Sequence, residues 1–176
     1  MYVQGTLIGR STAAANDDRP ISSAIVAPSA PGVMWGGMAI QAFLQGSELG
    51  FALQLAQTVT QISGFTVFDR STALVSTEED PVPTAGPNYA INFVNVGSGA
   101  RLVLAASDAV LEALENAPVT MQLSWDFECQ RVIPFSDAAG ALPIPSIVAP
   151  IKNAWVVLRD EDAACWDTGA AVIVQL

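Results

Sequence analysis

The stretch Val119–Gln130, VTMQLSWDFECQ, constrains this chain more than any other. Val119, Met121, Leu123, Trp125, Phe127 and Cys129 are apolar, and Thr120, Gln122, Ser124, Asp126, Glu128 and Gln130 between them are polar. Successive side chains of a strand point to opposite faces. The alternation therefore predicts one long β-strand with a dry face and a wet face. A slip of one residue would carry Leu123, Trp125 and Phe127 into water, so the pairing of this strand is well specified.

Around it the chain reads as short strands punctuated by Gly and Pro. Met1–Ile8 suits a first strand or an arm. Ser11–Pro31, with Asp17-Asp18-Arg19-Pro20 at its centre, reads as an extended loop or arm holding a short edge strand at Ile21–Ala27. Gly32–Leu44 is apolar and aromatic, and its Gly36-Gly37 pair signals a bulge or a close backbone approach. Phe51–Ile62 and Leu74–Thr77 lean to strand, and Glu78–Pro87 to loop. Tyr89–Val96 and Arg101–Ala105 read as a hairpin around Gly97-Ser98-Gly99. Asp108–Asn116 is the one convincing helix, capped by Asp108. Pro134–Pro150 is proline-rich and reads as a wrap over a surface, with final strands at Asn153–Leu158 and Ala170–Leu176. The fold class is all-β, a β-sandwich or jelly-roll-like body with one short helix and an extended N-terminal arm. The 176 residues make one β domain, residues 1–31 forming strand, arm and loop and residues 32–176 the body.

Composition bounds the function. Only 14% of the residues are charged against 51% hydrophobic, which leaves apolar surface for a partner or for self-association. Seventeen acidic residues against 7 basic give a net charge of −10, which argues against nucleic acid and anionic membrane. There is no His, the usual general base and commonest metal ligand. Cys129 and Cys165 make neither a disulfide framework nor a zinc site and read as small buried hydrophobes. Met1–Arg10 has neither the basic start nor the apolar core of a secretory leader. The most apolar candidate for a membrane span, Ala138–Ile151, is broken by Pro143, Pro145 and Pro150. A soluble protein made in a cytosol is expected.

No motif carries catalysis, a cofactor or a metal. Asp167-Thr168-Gly169-Ala170 has the lettering of an aspartic-protease loop, but that chemistry needs paired carboxylates and a barrel after the loop, where only Ala170–Leu176 follow. It reads as a hairpin turn. Gly97-Ser98-Gly99 lacks the third Gly and the helix of a dinucleotide fingerprint. The acidic runs Glu78-Glu79-Asp80 and Asp160-Glu161-Asp162 lack the spacing of a calcium loop. Asp126 and Glu128 share the wet face as a glycosidase pair would, with nothing else to suggest a sugar cleft. Of the four tryptophans, Trp125 is assigned to the core. Trp35, Met38 and Trp166 are the candidate interface residues.

Gly32-Val33-Met34-Trp35-Gly36-Gly37-Met38-Ala39-Ile40, Gly97-Ser98-Gly99-Ala100-Arg101-Leu102 and Ser124-Trp125-Asp126-Phe127 together resemble the head decoration, or cement, proteins of tailed bacteriophages. The resemblance implies a β-rich, often jelly-roll-like fold with no catalytic residues. It implies a place on the outside of the virion capsid, assembled in the host cytoplasm. It also implies trimers that reinforce contacts between subunits of the major capsid protein. A tail or fibre β-domain, or a carbohydrate-binding module using exposed Trp, are the competing expectations.

Overall fold

The computed structural model describes residues 2–10, 21–30, 32–44, 51–67, 82–116, 120–159 and 164–176. Its strands in chain order are β1 (Tyr2–Val3), β2 (Leu7–Arg10), β3 (Ile21–Val26), β4 (Ala39–Leu44), β5 (Phe51–Leu55), β6 (Gly64–Thr66), β7 (Ala90–Asn95), β8 (Ala100–Ala105), β9 (Leu123–Asp126), β10 (Arg131–Pro134), β11 (Ser146–Arg159) and β12 (Ala164–Gln175). One turn of 3-10 helix covers Val59–Gln61, and α1 covers Asp108–Leu114. The protein is all-β with a single short α-helix among the described residues.

Strands β3-β5-β4-β6-β7 close into a barrel, with β3 parallel to β5 and the other pairs antiparallel. Ile21–Val26 is therefore no edge strand: it is paired on both sides. The barrel interior is filled by Val26, Met34, Trp35, Met38, Ile40, Leu53, Ile91 and Phe93, among others. Side chains on the opposite face of the same strands (Ala39, Phe65, Val94) belong to a second and larger core. There they meet Leu102, Leu104, Val172 and Val174 of the other sheet, together with Leu123, Trp125, Val132 and Val110. Phe65 and Trp125 contact edge to face, 5.3 Å between ring centroids. Two sheets thus pack face to face across one core, and one of them is closed on itself.

The second sheet has the order β1-β11-β12-β8-β2. Its outer strands are separated in sequence only by Gln4, Gly5 and Thr6. A flat sheet would hold strands four places apart roughly 19 Å from each other. Three residues and their flanking bonds span at most roughly 14 Å. The sheet therefore curls until the N-terminal segment bonds both sides of it. The Gln4 N–H donates to the Trp155 carbonyl on β11 and the Gly5 N–H to the Val103 carbonyl on β8, each at 2.8 Å. Small side chains fill the inside of the curl: Val103, Ala105, Ala154, Val156, Ala171 and Ile173.

Several expectations are corrected. The alternation of Val119–Gln130 survives as strand only over Leu123–Asp126; Val119 lies outside the described residues. The chain turns at residues 127–130 and returns as β10, paired antiparallel with β9. Leu123 and Trp125 are buried as predicted, and so is Ser124, whose hydroxyl donates to the Gly140 carbonyl at 2.7 Å. β7 and β8 do not pair: one belongs to the barrel and the other to the curled sheet. Gly97 and Gly99, both at positive φ, carry the chain between them. Asp167-Thr168-Gly169-Ala170 lies within β12, not in a turn. Ser107 holds the cap position of α1, and Asp108 opens its first turn. Pro150 sits inside β11, in register with Val172 of β12, at a point where β1 does not pair on the other side. Leu74–Thr77 and the two acidic runs lie outside the described residues.

Gly36-Gly37 does mark a close approach. A Cβ at Gly5 would lie 2.5 Å from the Gly36 carbonyl carbon, and one at Gly37 would lie 2.7 Å from Gln4 Cγ. Gly5 and Gly97 both have left-handed backbone, at φ 77° and 85°. An added methyl meets nothing within 4 Å at Gly97. Gly97→Ala is expected to cost about 1–2 kcal/mol, for the backbone alone. Gly5→Ala adds a backbone collision and is expected to cost roughly 3–5 kcal/mol. Urea unfolding midpoints rank the two, and equal midpoints would contradict the crossing described here.

Candidate functional site

Trp35, Met38 and Trp166 are brought together, but at the barrel core. Trp35 is 4% exposed and Met38 1%, with Trp166 partly buried against the same cluster. The turn carrying Trp35 and Met38 is held by Thr66, whose Oγ1 accepts from the Met38 N–H at 2.9 Å and donates to the Trp35 carbonyl. Side chains this deeply buried make no contact with another molecule while the fold holds. Trp35 and Met38 are therefore not surface contacts. Their flanking glycines serve the backbone crossing at Gln4 and Gly5, which a reading of composition mistakes for an exposed turn.

Two surfaces remain. The first is a cleft of about 520 Å³ between the curled sheet and the β9–β10 turn, lined by residues that include Ser107, Asp108, Glu128, Cys129, Arg131 and Thr168. Asp126 organises the turn at its edge, and the buried Ser107 hydroxyl in its lining has no hydrogen-bond partner. Asp126 Oδ1 accepts from the N–H groups of Glu128 and Cys129, each at 3.0 Å, and Oδ2 lies 3.6 Å from Arg131 Nε. Burial acts to raise the Asp126 pKa, but those N–H groups, the Cys129 thiol and the Arg131 guanidinium outweigh it and hold it below the ordinary carboxyl value. Burial pushes the Cys129 thiol up, and the Asp126 carboxylate adds to the effect. Cys129 and Cys165 are exposed, not buried as their residue type suggests. A thiol raised in this way, in a chain without His, is not an activated nucleophile. The Asp126–Glu128 acid pair is likewise taken apart, since Asp126 organises a turn in which Glu128 is one of its donors.

The second surface is the barrel exterior. Residues 21–30, 32–44, 51–67 and 82–95 contain no Asp, Glu, Lys or Arg. Every charged side chain that the structure describes falls between Arg101 and Asp167. Register partners in neighbouring strands share a face. Ala90, Ile25, Ala52 and Phe43 are successive partners across β7, β3, β5 and β4; Ala90 and Ile25 are exposed, Ala52 is buried in the barrel core and Phe43 packs partly against it. Val26 and Leu53, the next pair along, are fully buried in the barrel core. Ile25 is 50% exposed, Tyr89 57%, Phe51 60% and Leu44 68%. Leu44 and Phe51 are partners at the end of the β4–β5 hairpin. This surface escapes a reading based on whole-chain totals.

Among the described residues no helix is long and apolar enough to cross a membrane, and no group of three or more His, Cys, Asp or Glu is placed to hold a metal. Comparisons with protein-family models, with curated proteins and with solved structures returned no match.

A carboxyl held below its ordinary pKa stabilises the fold above that value, and the stabilisation is lost as pH falls through the folded pKa. Asp126→Ala is expected to cost about 1 kcal/mol at neutral pH, as loss of a side-chain cap does. The gap from the parent should narrow as pH falls below about 4. Urea unfolding from pH 7 down to 2.5 checks this, and a gap that widens in acid would contradict it.

Proposed function

We propose that this protein is a structural decoration protein of a tailed-bacteriophage head. In this reading it binds the outside of the icosahedral shell and reinforces contacts between major capsid subunits. The observation that carries the reading is a set of described barrel residues without a single charge, with Ile25, Leu44, Phe51 and Tyr89 exposed among them, on a chain of net charge −10. A surface of this kind is costly to leave in water and is suited to cover by protein. The acidic remainder suits the side that faces solvent and repels nucleic acid. The resemblance carried by residues 32–40, 97–102 and 124–127 supplies the virion context, and the all-β fold is compatible with it.

The Asp126 turn and the N-terminal crossing serve this role as scaffolding. Gln130 Oε1 accepts from the Ala39 N–H at 3.1 Å and ties the β9–β10 turn to the first residue of β4. The β9–β10 hairpin is thereby joined to the barrel as well as packed against it, as a protein that transmits load between neighbours requires.

Added to undecorated shells of its own phage, the purified protein is expected to bind and to raise the temperature at which they rupture. Phe51→Asp and Tyr89→Asp, both at exposed positions, should weaken binding at least about 30-fold, with unfolding midpoints unchanged. Absence of the protein from purified virions, or shells equally heat-stable without it, would sink the proposal.

A further inference from the structure

We propose that the cleft between the curled sheet and the β9–β10 turn receives an extended segment of a partner protein that carries a basic side chain. The site is separate from the barrel exterior, and its occupation is independent of any shell. Every residue that lines the cleft is among those the structure describes.

One side of the cleft is an open strand edge. β8 pairs β12 only over Ala171–Gln175. The Ala106 N–H then donates to the Ala170 carbonyl at 2.9 Å, and the Ser107 N–H turns away to the Val132 carbonyl. Toward its start β12 therefore has β11 on one side and no described strand on the other. Backbone groups of alternate residues point to the same side of a strand. Ala170 and Leu176 bond toward β8, so Thr168 turns its N–H and carbonyl toward the open side, where Thr168 and Gly169 line the cleft. The Thr168 N–H is met at 2.7 Å by Oδ1 of the neighbouring Asp167, a local substitute for a ladder partner. A segment laid along this edge restores the ladder.

Charge names the occupant. Asp108 and Glu128 line the cleft, and neither makes an ion pair among the described residues. The cation in the lining, Arg131, is answered by Asp126 at 3.6 Å. The Ser107 hydroxyl is buried in the lining without a hydrogen-bond partner, and a hydroxyl oxygen accepts from an ammonium or guanidinium. Val156 and Val157 offer apolar contact to the methylene stem of such a side chain. An acidic segment would meet the two carboxylates instead. The volume of about 520 Å³ exceeds one side chain and accommodates a short stretch of main chain with it.

Titration of the full ¹⁵N-labelled chain with the peptide acetyl-Thr-Lys-Val-Lys-Thr-amide, followed by amide shifts, tests the site. Saturable shifts are expected at Ser107, Glu128, Thr168 and Gly169, with affinity falling as salt rises. Glu128→Lys, at an exposed position, should weaken binding about fivefold. Glu128→Gln should weaken it less and serves if Glu128→Lys unfolds. Glutamate in place of both peptide lysines should abolish binding. N-acetyl-lysine amide alone should bind at least about tenfold more weakly than the peptide. No shifts at any soluble peptide concentration, shifts confined to other surfaces, or equal binding of the glutamate peptide would overturn the proposal. So would equal binding of the lysine derivative, which leaves a cation pocket and no added strand. A chain that binds the peptide but never shells would overturn the proposed function alone. One that binds shells but not the peptide would overturn this site alone.

Discussion

The structure depends on the passage of Gln4 and Gly5 between the two sheets. Gln4 is buried, with its N–H bonded to the Trp155 carbonyl and its Oε1 accepting from the Val157 N–H at 2.9 Å. A buried amide side chain without such partners would be strongly destabilising. Here it replaces a strand neighbour that β11 would otherwise lack. One residue on, Gly5 bonds β8 and lies against the backbone of Gly36-Gly37 at a distance no side chain allows. The same dipeptide curls one sheet, seals its small core and sets the turn that places Trp35 and Met38 at the heart of the barrel.

Charge is distributed with equal economy. The described barrel residues make no ion pair, and their apolar interior and closed ring of strand pairs hold the barrel together. Such pairs would add little at an exposed surface in any case. The two ion pairs found among the described residues, Asp126–Arg131 and Glu115–Lys152, both belong to the other part of the molecule. The acidic excess keeps an apolar chain in solution, and among the described residues the barrel strands carry none of it.

The strand content, the helix and the close approach at Gly36-Gly37 were legible because each rests on local chemistry. The length of the strand around Trp125 was not. The Asp126 carboxylate bonds the N–H groups of Glu128 and Cys129, and local bonds of this kind compete with a ladder. Gln130, at φ 51°, completes the turn. Alternation alone cannot see such a competition. The expected hairpin at Gly97-Ser98-Gly99 failed for a related reason. Turn chemistry reports that the chain bends, not which sheet it enters next, and the Gly99 N–H bonds Leu176 across that change of sheet. Exposure at the candidate site was the least legible feature. Trp35 and Met38 are buried by residues far away in sequence, whereas Ile25 and Phe51 stay exposed in strands that read as ordinary.

The β11–β12 hairpin has a consequence for the order of events in folding. Val157, Ala164 and Trp166 reach the barrel core, Val172 and Val174 the shared core, and Ala154 and Ile173 the inside of the curl. Gln4 is fixed only when Val157 is in place, 153 residues later. A ribosome releasing this chain from its N-terminus would hold the barrel strands outside the tunnel while the hairpin that caps them is still unmade. Pairings of such long range make folding slow. The apolar barrel strands therefore wait longest with their shared core uncovered, and the strands that cover it arrive last.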